Sequence, residues 1–158
     1  MYILNIVIVS VGKIKENFIS QGINEYLKRL KAYTNVSIIE LKEETGIKNI
    51  ELTIMKESQE IIKTLEKIGG YNILLDIHGS LPSSEEFSKE INTLFVKGNS
   101  TITFVIGGSY GVSGEVKTYA NMKLSFSRFT FPHQLMRLIL IEQIYRAFNI
   151  LNNGKYHK

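Results

Sequence analysis

The sequence predicts an α/β fold with a mostly parallel sheet that is covered by helices on both faces. Strand-like and helix-like hydrophobic patterns alternate from one end of the chain to the other. Two strand-like runs, Tyr71–Ile77 and Thr101–Ile106, are almost continuously apolar, as parallel strands buried on both faces are. The chain has 158 residues, and no linker, internal repeat or low-complexity segment divides it. We therefore predict a single domain over residues 1–158.

The first half of the chain predicts two strands and two helices. Tyr2–Val9 is rich in Ile and Val, which favours a strand. In Lys15–Tyr33 the apolar residues recur at spacings of three and four, which is typical of an amphipathic helix. Val36–Leu41 predicts the second strand, and the polar segment 42–49 predicts a surface loop. Ile50–Ile68 predicts the second helix, and a Gly-Gly pair ends it.

The second half continues the alternation with three strands and three helices. After the first apolar run, "GSLPSSEEF" offers Ser83 or Ser84 as the cap of a helix. The second apolar run ends in Gly-Gly and is followed by a short helix over Ser113–Ala120. Met122–Ser127 predicts the last strand. Phe131–Asn149 predicts the last helix, with a proline in its first turn, where a missing N–H costs nothing.

Several classes of chemistry do not fit the sequence. The chain has no cysteine, which excludes disulfides, thiolate metal sites and a cysteine nucleophile. The histidines His78, His133 and His157 are too scattered to suggest a zinc site. The glycine spacing matches neither a Walker A loop nor G-x-G-x-x-G, and Ser109 in "GGSYG" does not stand in a nucleophile elbow. We expect no metal site and no serine hydrolase.

The apolar segments predict no contact with a membrane. No stretch approaches the ~20 apolar residues of a transmembrane helix. The apolar N-terminus is short and β-branched and has no basic region before it, so it does not resemble a signal peptide. We expect a cytoplasmic protein.

The basic residues are unevenly distributed. The formal net charge is +4, and residues 123–158 hold six Lys or Arg against one acidic residue, Glu142. Residues 1–122 are nearly balanced. The excess indicates either a solvated helix and tail or a surface that faces phosphate groups.

Unusual loops follow three of the predicted strands: "LLDIHGS", "FVIGGSYG" and "LSFSRFTFPHQ". In open α/β sheets, ligands bind beyond the carboxyl ends of the strands, and glycines there let a ligand approach the backbone. The apolar and hydroxyl side chains that these loops offer are Leu75, Phe126, Ser127, Phe129, Thr130 and Phe131. Each loop taken alone is better explained as a turn with core residues. Three such loops at one edge predict a pocket for a ring-containing ligand.

Taken together, several motifs resemble one known family. "VIGGSYG", "LSFSRFTFPHQLMR", "EQIYRAF" and the final "YHK" are similar to the SPOUT-class methyltransferases that modify N3 of a pseudouridine in bacterial large-subunit (23S) ribosomal RNA. "IVSVGKIKENF" and "LLDIHG" match as well, so the resemblance covers essentially the whole chain. Two positions depart from the family pattern, His78 and Ser80, and the 42–50 loop is divergent.

The resemblance implies a C-terminal trefoil knot, S-adenosyl-L-methionine as cofactor and an obligate homodimer with the cofactor pocket near its interface. It also implies ribosomal RNA, within the large subunit or the whole ribosome, as the partner. Carried over position by position, the cofactor contacts fall on Leu75, Gly107, Phe126, Ser127, Arg128, Phe129, Thr130 and Phe131.

The substrate side is expected in the basic C-terminal segment. Methyl transfer needs an aligned acceptor, and N3 of the base must lose its proton, so a general base or a stabilising cation is required. The catalytic candidates are His157, Tyr156 and Glu142. The candidates for RNA contacts are Arg137, Arg146, His133 and Lys158. Simpler explanations also exist: Glu142 and Arg146 are spaced as a helix ion pair, and His133 is placed to cap a helix.

The last helix independently suggests a dimer. Its apolar residues cover more than one face, so one side fits the sheet and another fits a second subunit.

Two further functions stay open at this point. One is methyl transfer to another RNA such as tRNA, and the other is a non-catalytic dimeric RNA-binding module.

Overall fold

The computed structural model describes residues 3–158, which form five strands and five helices in alternation. The strands are β1 (Asn5–Val11), β2 (Asn35–Leu41), β3 (Tyr71–Ser80), β4 (Thr101–Ile106) and β5 (Met122–Leu124). The helices are α1 (Asn17–Leu30), α2 (Ile50–Ile68), α3 (Ser84–Val96), α4 (Gly114–Tyr119) and α5 (His133–Leu151). The predicted α/β class is confirmed.

The predicted boundaries differ from the observed ones mainly at strand ends. Tyr2, the predicted start of the first strand, lies outside the described residues, and β1 continues to Val11. The last strand stops at Leu124 rather than at residue 127. The reason is local, because the Ser125 hydroxyl donates to the carbonyl of Ser127 at 2.8 Å and turns the chain.

All ladders between the five strands are parallel, and the strand order is β2-β1-β4-β3-β5. Alternate residues of β1 lie on opposite faces of the sheet. Ile6 and Ile8 belong to one buried cluster, while Val7 and Val9 belong to the other. Both faces are thus covered, as the continuous apolar runs predict.

The helices form two layers. Helices α1, α3 and α5 pack together over one face, and α2 and α4 lie over the other. Helix α3 begins with the predicted capping box: the Ser83 hydroxyl accepts from the Glu86 N–H at 3.1 Å, and the Glu86 carboxylate accepts from the Ser83 N–H at 2.7 Å. Helix α2 ends at Gly69, whose φ is +69°.

Parallel strands bring all their carboxyl ends to one edge of the sheet. The loops that follow β1, β3, β4 and β5 therefore lie side by side at this edge, which we call the carboxyl edge. Within residues 3–158, no helix has both the length and the apolar character needed to cross a membrane.

Candidate functional site

A cavity of about 370 Å³ opens at the carboxyl edge, between the loops that follow β3, β4 and β5. Its walls are mostly apolar side chains and glycine backbone. The lining residues are Leu75, Asp76, Ile77, His78, Ile106, Gly107, Gly108, Tyr110, Gly111, Val112, Lys117, Leu124, Ser125, Phe126, Ser127, Phe129, Thr130, Phe131, His133 and Met136. The volume lies within the ~300–1,000 Å³ usual for small-molecule sites.

The loop after β4 forms the cavity wall with its backbone. The Gly111 N–H donates to the Gly108 carbonyl at 3.0 Å, and Gly111 has a φ of +85°, which favours glycine. A Cβ built on Gly107 lies 2.7 Å from Cγ1 of Val112, closer than real Cβ atoms approach a neighbour. The wall at Gly107 therefore has no room for a side chain beside Val112, and Gly107 lines the cavity with its backbone.

The loop after β5 forms the third wall. The Phe129 N–H donates to the Ser127 hydroxyl at 2.9 Å, so the loop is shaped by its own hydroxyl groups. The ring of Phe126 packs edge-on against Phe87 of α3, with centroids 6.0 Å apart. By contrast, the side chain of Phe129 is 79% exposed at the cavity.

Seven of the eight residues proposed for cofactor binding line this cavity, and Arg128 is the exception. Ser80 does not line the cavity either, and its hydroxyl donates to the Lys123 carbonyl at 3.2 Å. Neighbouring Gly79 has a structural role, since a Cβ there would lie 2.6 Å from the Leu124 backbone nitrogen. His78 lines the cavity.

Sequence reasoning missed several lining residues. Asp76 and Tyr110 stand within the loops that the motifs single out, so a full reading of those loops would include them. Lys117 and Met136 come from α4 and α5, and their approach to the cavity depends on helix packing. Lys117 adds an exposed cation to a wall that the sequence predicts as apolar and hydroxylic.

Helix α2 supports the loop after β4 from behind. The Ser113 N–H donates to the Ser58 hydroxyl at 2.9 Å. Glu57, which precedes Ser58 in α2, is only 3% exposed, and its Oε2 accepts from the Glu44 N–H at 3.0 Å. A Cβ built on Gly108 would lie 2.6 Å from Glu57 Oε1, which has no hydrogen-bond partner within residues 3–158. Burial raises the pKa of the Glu57 carboxyl.

The three catalytic candidates meet in one network on the outer side of α5, which we call the tail cluster: Tyr26, Glu85, Glu142, Arg146, Tyr156 and His157. Glu142 Oε1 accepts from Nε of Arg146 and from the Tyr156 hydroxyl, each at 3.0 Å. The Tyr26 and Tyr156 hydroxyls are 3.0 Å apart. The i,i+4 pairing of Glu142 with Arg146 is thus present, as one part of a larger network.

The geometry of the tail cluster determines the tautomer of His157. Arg146 Nη1 lies 3.1 Å from His157 Nδ1, and arginine has no acceptor, so Nδ1 accepts this hydrogen bond. The ring proton therefore sits on Nε2, which donates to Glu85 Oε1 at 2.6 Å. The hydrogen bond from His157 holds the pKa of the Glu85 carboxyl below its ordinary value.

The last residues are attached to α5 by backbone and ring contacts. Asn149 accepts from the Gly154 N–H through its carbonyl at 2.8 Å and from the Tyr156 N–H through its side chain at 3.0 Å. The Tyr156 ring packs edge-on against Tyr145 and lies under the Arg146 guanidinium, 4.7 Å from its centre. Burial, with help from Tyr26 and Glu142, raises the pKa of Tyr156, so at neutral pH it is a phenol.

None of the three catalytic candidates lines the cavity of its own chain. Glu142 lies nine residues beyond His133, which does line it, and this spacing is about 13 Å along a helix. His133 does not cap α5 through its side chain, since Pro132 occupies the N-cap position. Lys158 is exposed at the chain end.

Two candidates for RNA contacts are placed differently from the prediction. Arg137 is 1% exposed and donates to Glu40 Oε2 at 2.7 Å and to the Gly12 carbonyl at 3.1 Å. It joins α5 to the ends of β1 and β2, so it has no surface to offer a phosphate. Arg146 is partly exposed, but its donors already serve Glu142 and His157.

Comparisons with known proteins agree with this architecture. A family profile described as "Predicted SPOUT methyltransferase" matches residues 4–157. A relative from Fusobacterium nucleatum, named "Ribosomal RNA large subunit methyltransferase H", is 54% identical over 155 residues, which cover 98% of this chain and all of the relative. A relative of the same name from Bacillus thuringiensis is 50% identical over 160 residues, with the same coverage.

Two solved structures share the fold at low sequence identity. A probable methylase family protein from Haemophilus influenzae superposes with a TM-score of 0.51 at 14% identity, covering all of this chain and 72% of that one. A putative methylase family protein from Neisseria gonorrhoeae has the same TM-score at 12% identity, covering 98% of this chain and 96% of that one.

Proposed function

Because the chain belongs to the SPOUT methyltransferase family, we propose that it methylates N3 of a pseudouridine in 23S ribosomal RNA, on the assembled ribosome. The observation that carries this proposal is the 54% identity, over essentially the whole chain, to a protein named as a large-subunit ribosomal RNA methyltransferase. With a ribosomal substrate, a cytoplasmic location follows. Residues 1–158 would act as one methyltransferase domain.

SPOUT methyltransferases take their methyl group from S-adenosylmethionine, and the cavity at the carboxyl edge fits this cofactor. Its volume suits a small molecule, and Leu75, Phe126 and Phe131 supply apolar surface for a ring system. Gly107 lines the cavity with its backbone, and a side chain there would collide with Val112. When bound, the cofactor supplies a methyl group on a positively charged sulfur.

The protein residues must align the acceptor and help N3 lose its proton. The tail cluster supplies the polar groups for this task. Both oxygens of Glu142 already accept hydrogen bonds, from Arg146 and Tyr156 and from Gln143, so its role is to orient the cluster. His157 and Tyr156 are hydrogen-bonded as well, His157 to Arg146 and Glu85 and Tyr156 to Tyr26 and Glu142. To act on the base, His157 Nδ1 would exchange its bond from Arg146 for the N3 proton, and the ring of Tyr156 would stack on the base.

The distance between the cavity and the tail cluster supports a homodimer. A tail cluster that acts on the base but does not line its own cavity would serve the cavity of a second copy of the chain. Tyr110 and Phe129 line the cavity with large exposed side chains, which favours a further surface against them. We place the tail cluster of one protomer at the cavity of its partner.

The proposal is tested first by mass spectrometry of ribosomal RNA from a strain that lacks this protein. The expected result is the loss of one methyl group from a 23S pseudouridine and its return when the gene is restored. An unchanged 23S modification pattern would contradict the proposal.

Two in vitro measurements separate the alternatives. Purified protein should methylate assembled ribosomes and leave free tRNA unmodified, whereas modification of tRNA alone would favour the other RNA substrate. Calorimetry with S-adenosylmethionine should show binding. No binding at millimolar cofactor would favour a non-catalytic RNA-binding module.

A further inference from the structure

We propose that the loop between β1 and α1, residues 12–16, is part of the RNA-binding surface, with Lys13 and Lys15 contacting backbone phosphates. We further infer that the ion pair between buried Arg137 and exposed Glu40 is a positioning device for this loop. The proposal rests on ribosomal RNA being the substrate. It adds a binding surface from residues 1–122, whose overall charge is nearly balanced.

The loop 12–16 lies beside the proposed cofactor cavity. Ser10 of β1 pairs with Ile106 of β4, so the loops after these strands start next to each other. A Cβ built on Gly108 lies 3.3 Å from the Val11 side chain. The Lys15 N–H donates to Gln134 Oε1 at 2.9 Å, and Gln134 follows a cavity-lining residue.

The backbone of the loop is held at four points by residues of β2 and α5, the first being the Gly12 N–H, which donates to the Leu41 carbonyl at 2.8 Å. Arg137 Nη2 donates to the Gly12 carbonyl at 3.1 Å, and the Ile14 N–H donates to Glu40 Oε2 at 3.3 Å. The bond from Lys15 to Gln134 is the fourth. The same Glu40 oxygen accepts from Arg137 Nη1 at 2.7 Å, so one ion pair holds two of the four points.

Only one side of this ion pair is buried, since Arg137 is 1% exposed and the Glu40 side chain is 36% exposed. Desolvation of Arg137 offsets part of the Coulomb attraction of the pair. A positioning role explains why the pair is present. Arg137 is inaccessible to RNA, and it acts through the loop that its guanidinium holds.

The two lysines are suited to phosphate contacts. Both are exposed, and neither forms a salt bridge with any residue from 3 to 158. Glu40, which is bonded to the loop, is already paired with Arg137, and exposed Glu16 leaves the loop with a formal charge of +1. Exposed lysines on a fixed loop contact phosphates in a sequence-independent manner and set the orientation of the RNA.

The first experiment compares ribosome binding by wild type and by the Lys13→Gln/Lys15→Gln variant between 50 and 200 mM salt. The expected change is an affinity loss of about tenfold at low salt and a salt slope smaller by about 1.5, as for two lost phosphate contacts. Cofactor affinity should stay the same. Lys63→Gln/Lys67→Gln on α2 removes the same charge from two exposed positions and should bind as wild type.

The second experiment tests the positioning role with Glu40→Gln, alone and combined with the lysine variant. Alone it should weaken ribosome binding several-fold with unchanged cofactor affinity. In the combined variant it should add no further loss, because it acts through the lysines. Additive losses would overturn the positioning role.

The outcomes separate this inference from the proposed function. A wild-type protein that methylates ribosomes, together with a lysine variant that binds them equally well and with the same salt slope, overturns this inference alone. A wild-type protein that neither binds nor methylates ribosomes overturns the proposed function and this inference with it.

Discussion

The cavity at the carboxyl edge and the tail cluster are built in opposite ways. The cavity is formed by short local segments, in which glycine backbone and a few apolar side chains make the walls. The tail cluster is formed by polar side chains that come from α1, α3, α5 and the final residues. Tyr26 and Tyr156, which meet in it, are 130 residues apart in the chain.

This difference matches two different tasks. A backbone-walled cavity suits a cofactor that is bound in the same way in every cycle, since its contacts do not depend on side-chain rotamers. A network of tyrosine, histidine, glutamate and arginine suits proton handling and base recognition. The account therefore predicts that changes in one region affect cofactor binding and changes in the other affect turnover.

The largest effect is expected from removing residues 156–158. The truncation deletes Tyr156 and His157, and turnover on ribosomes should fall about a thousandfold, the middle of the range for general acid–base groups. Cofactor affinity, measured by calorimetry, should change less than about twofold, because no deleted residue lines the cavity of its own chain and the partner's tail cluster acts on the base.

A chain that lacks only Lys158 is the matched control and should keep its turnover, with slightly weaker ribosome binding. If the longer truncation retained turnover, the tail cluster would have no part in the reaction.

Gly107→Val should produce the converse result. The new side chain must displace Val112 or enter the cavity, so cofactor affinity should fall at least about a hundredfold, or about 2.7 kcal/mol. Gly114→Ala is the control, because a Cβ there meets nothing within 4 Å. Normal affinity in a folded Gly107→Val protein would mean that the cofactor binds elsewhere.

Tyr156→Phe sharpens the comparison by removing only a hydroxyl from the tail cluster. It deletes the hydrogen bonds to Tyr26 and Glu142 and should lower the free energy of unfolding by about 1 kcal/mol. Urea unfolding at fixed protein concentration measures this. Tyr119→Phe changes an exposed tyrosine whose hydroxyl has no partner within residues 3–158, and it should have no effect. Equal stability of the two variants would contradict the network.

The smallest effect is expected from Glu57→Gln, behind the cavity wall. Burial raises the pKa of this carboxyl above its ordinary 4.5, so folding favours its protonated form. The resulting stability is fully present below pH 4.5 and is lost as the pH rises through the raised pKa.

The variant and wild type should therefore melt at the same temperature near pH 4, and the variant should melt higher near pH 8. A wild type that is the more stable protein at pH 8 would contradict this account of Glu57.

The sequence predicts the cavity far better than the residues around it. The end of β4 is a local feature: an apolar run followed by Gly107 and Gly108 is enough to place an open backbone at the carboxyl edge. Arg137 shows the limit. Its charge suggested a contact with RNA. Its partner Glu40 is 97 residues away along the chain, and only the packing of the fold brings the two side chains together. Lys117 was missed for the same reason. The trefoil knot stays a prediction that rests on the resemblance alone. The threading of a chain through a loop leaves no trace in its hydrophobic periodicity.

The most direct test of the central claim mixes the two inactive variants, Gly107→Val and the truncation of residues 156–158. A mixed dimer holds one intact cavity and, on the other protomer, one intact tail cluster. If the tail cluster serves the partner's cavity, random mixing should restore about a quarter of wild-type turnover, since half of the dimers are mixed and each has one complete site. Mixed dimers that form, as native mass spectrometry would show, but stay inactive on ribosomes would contradict the claim.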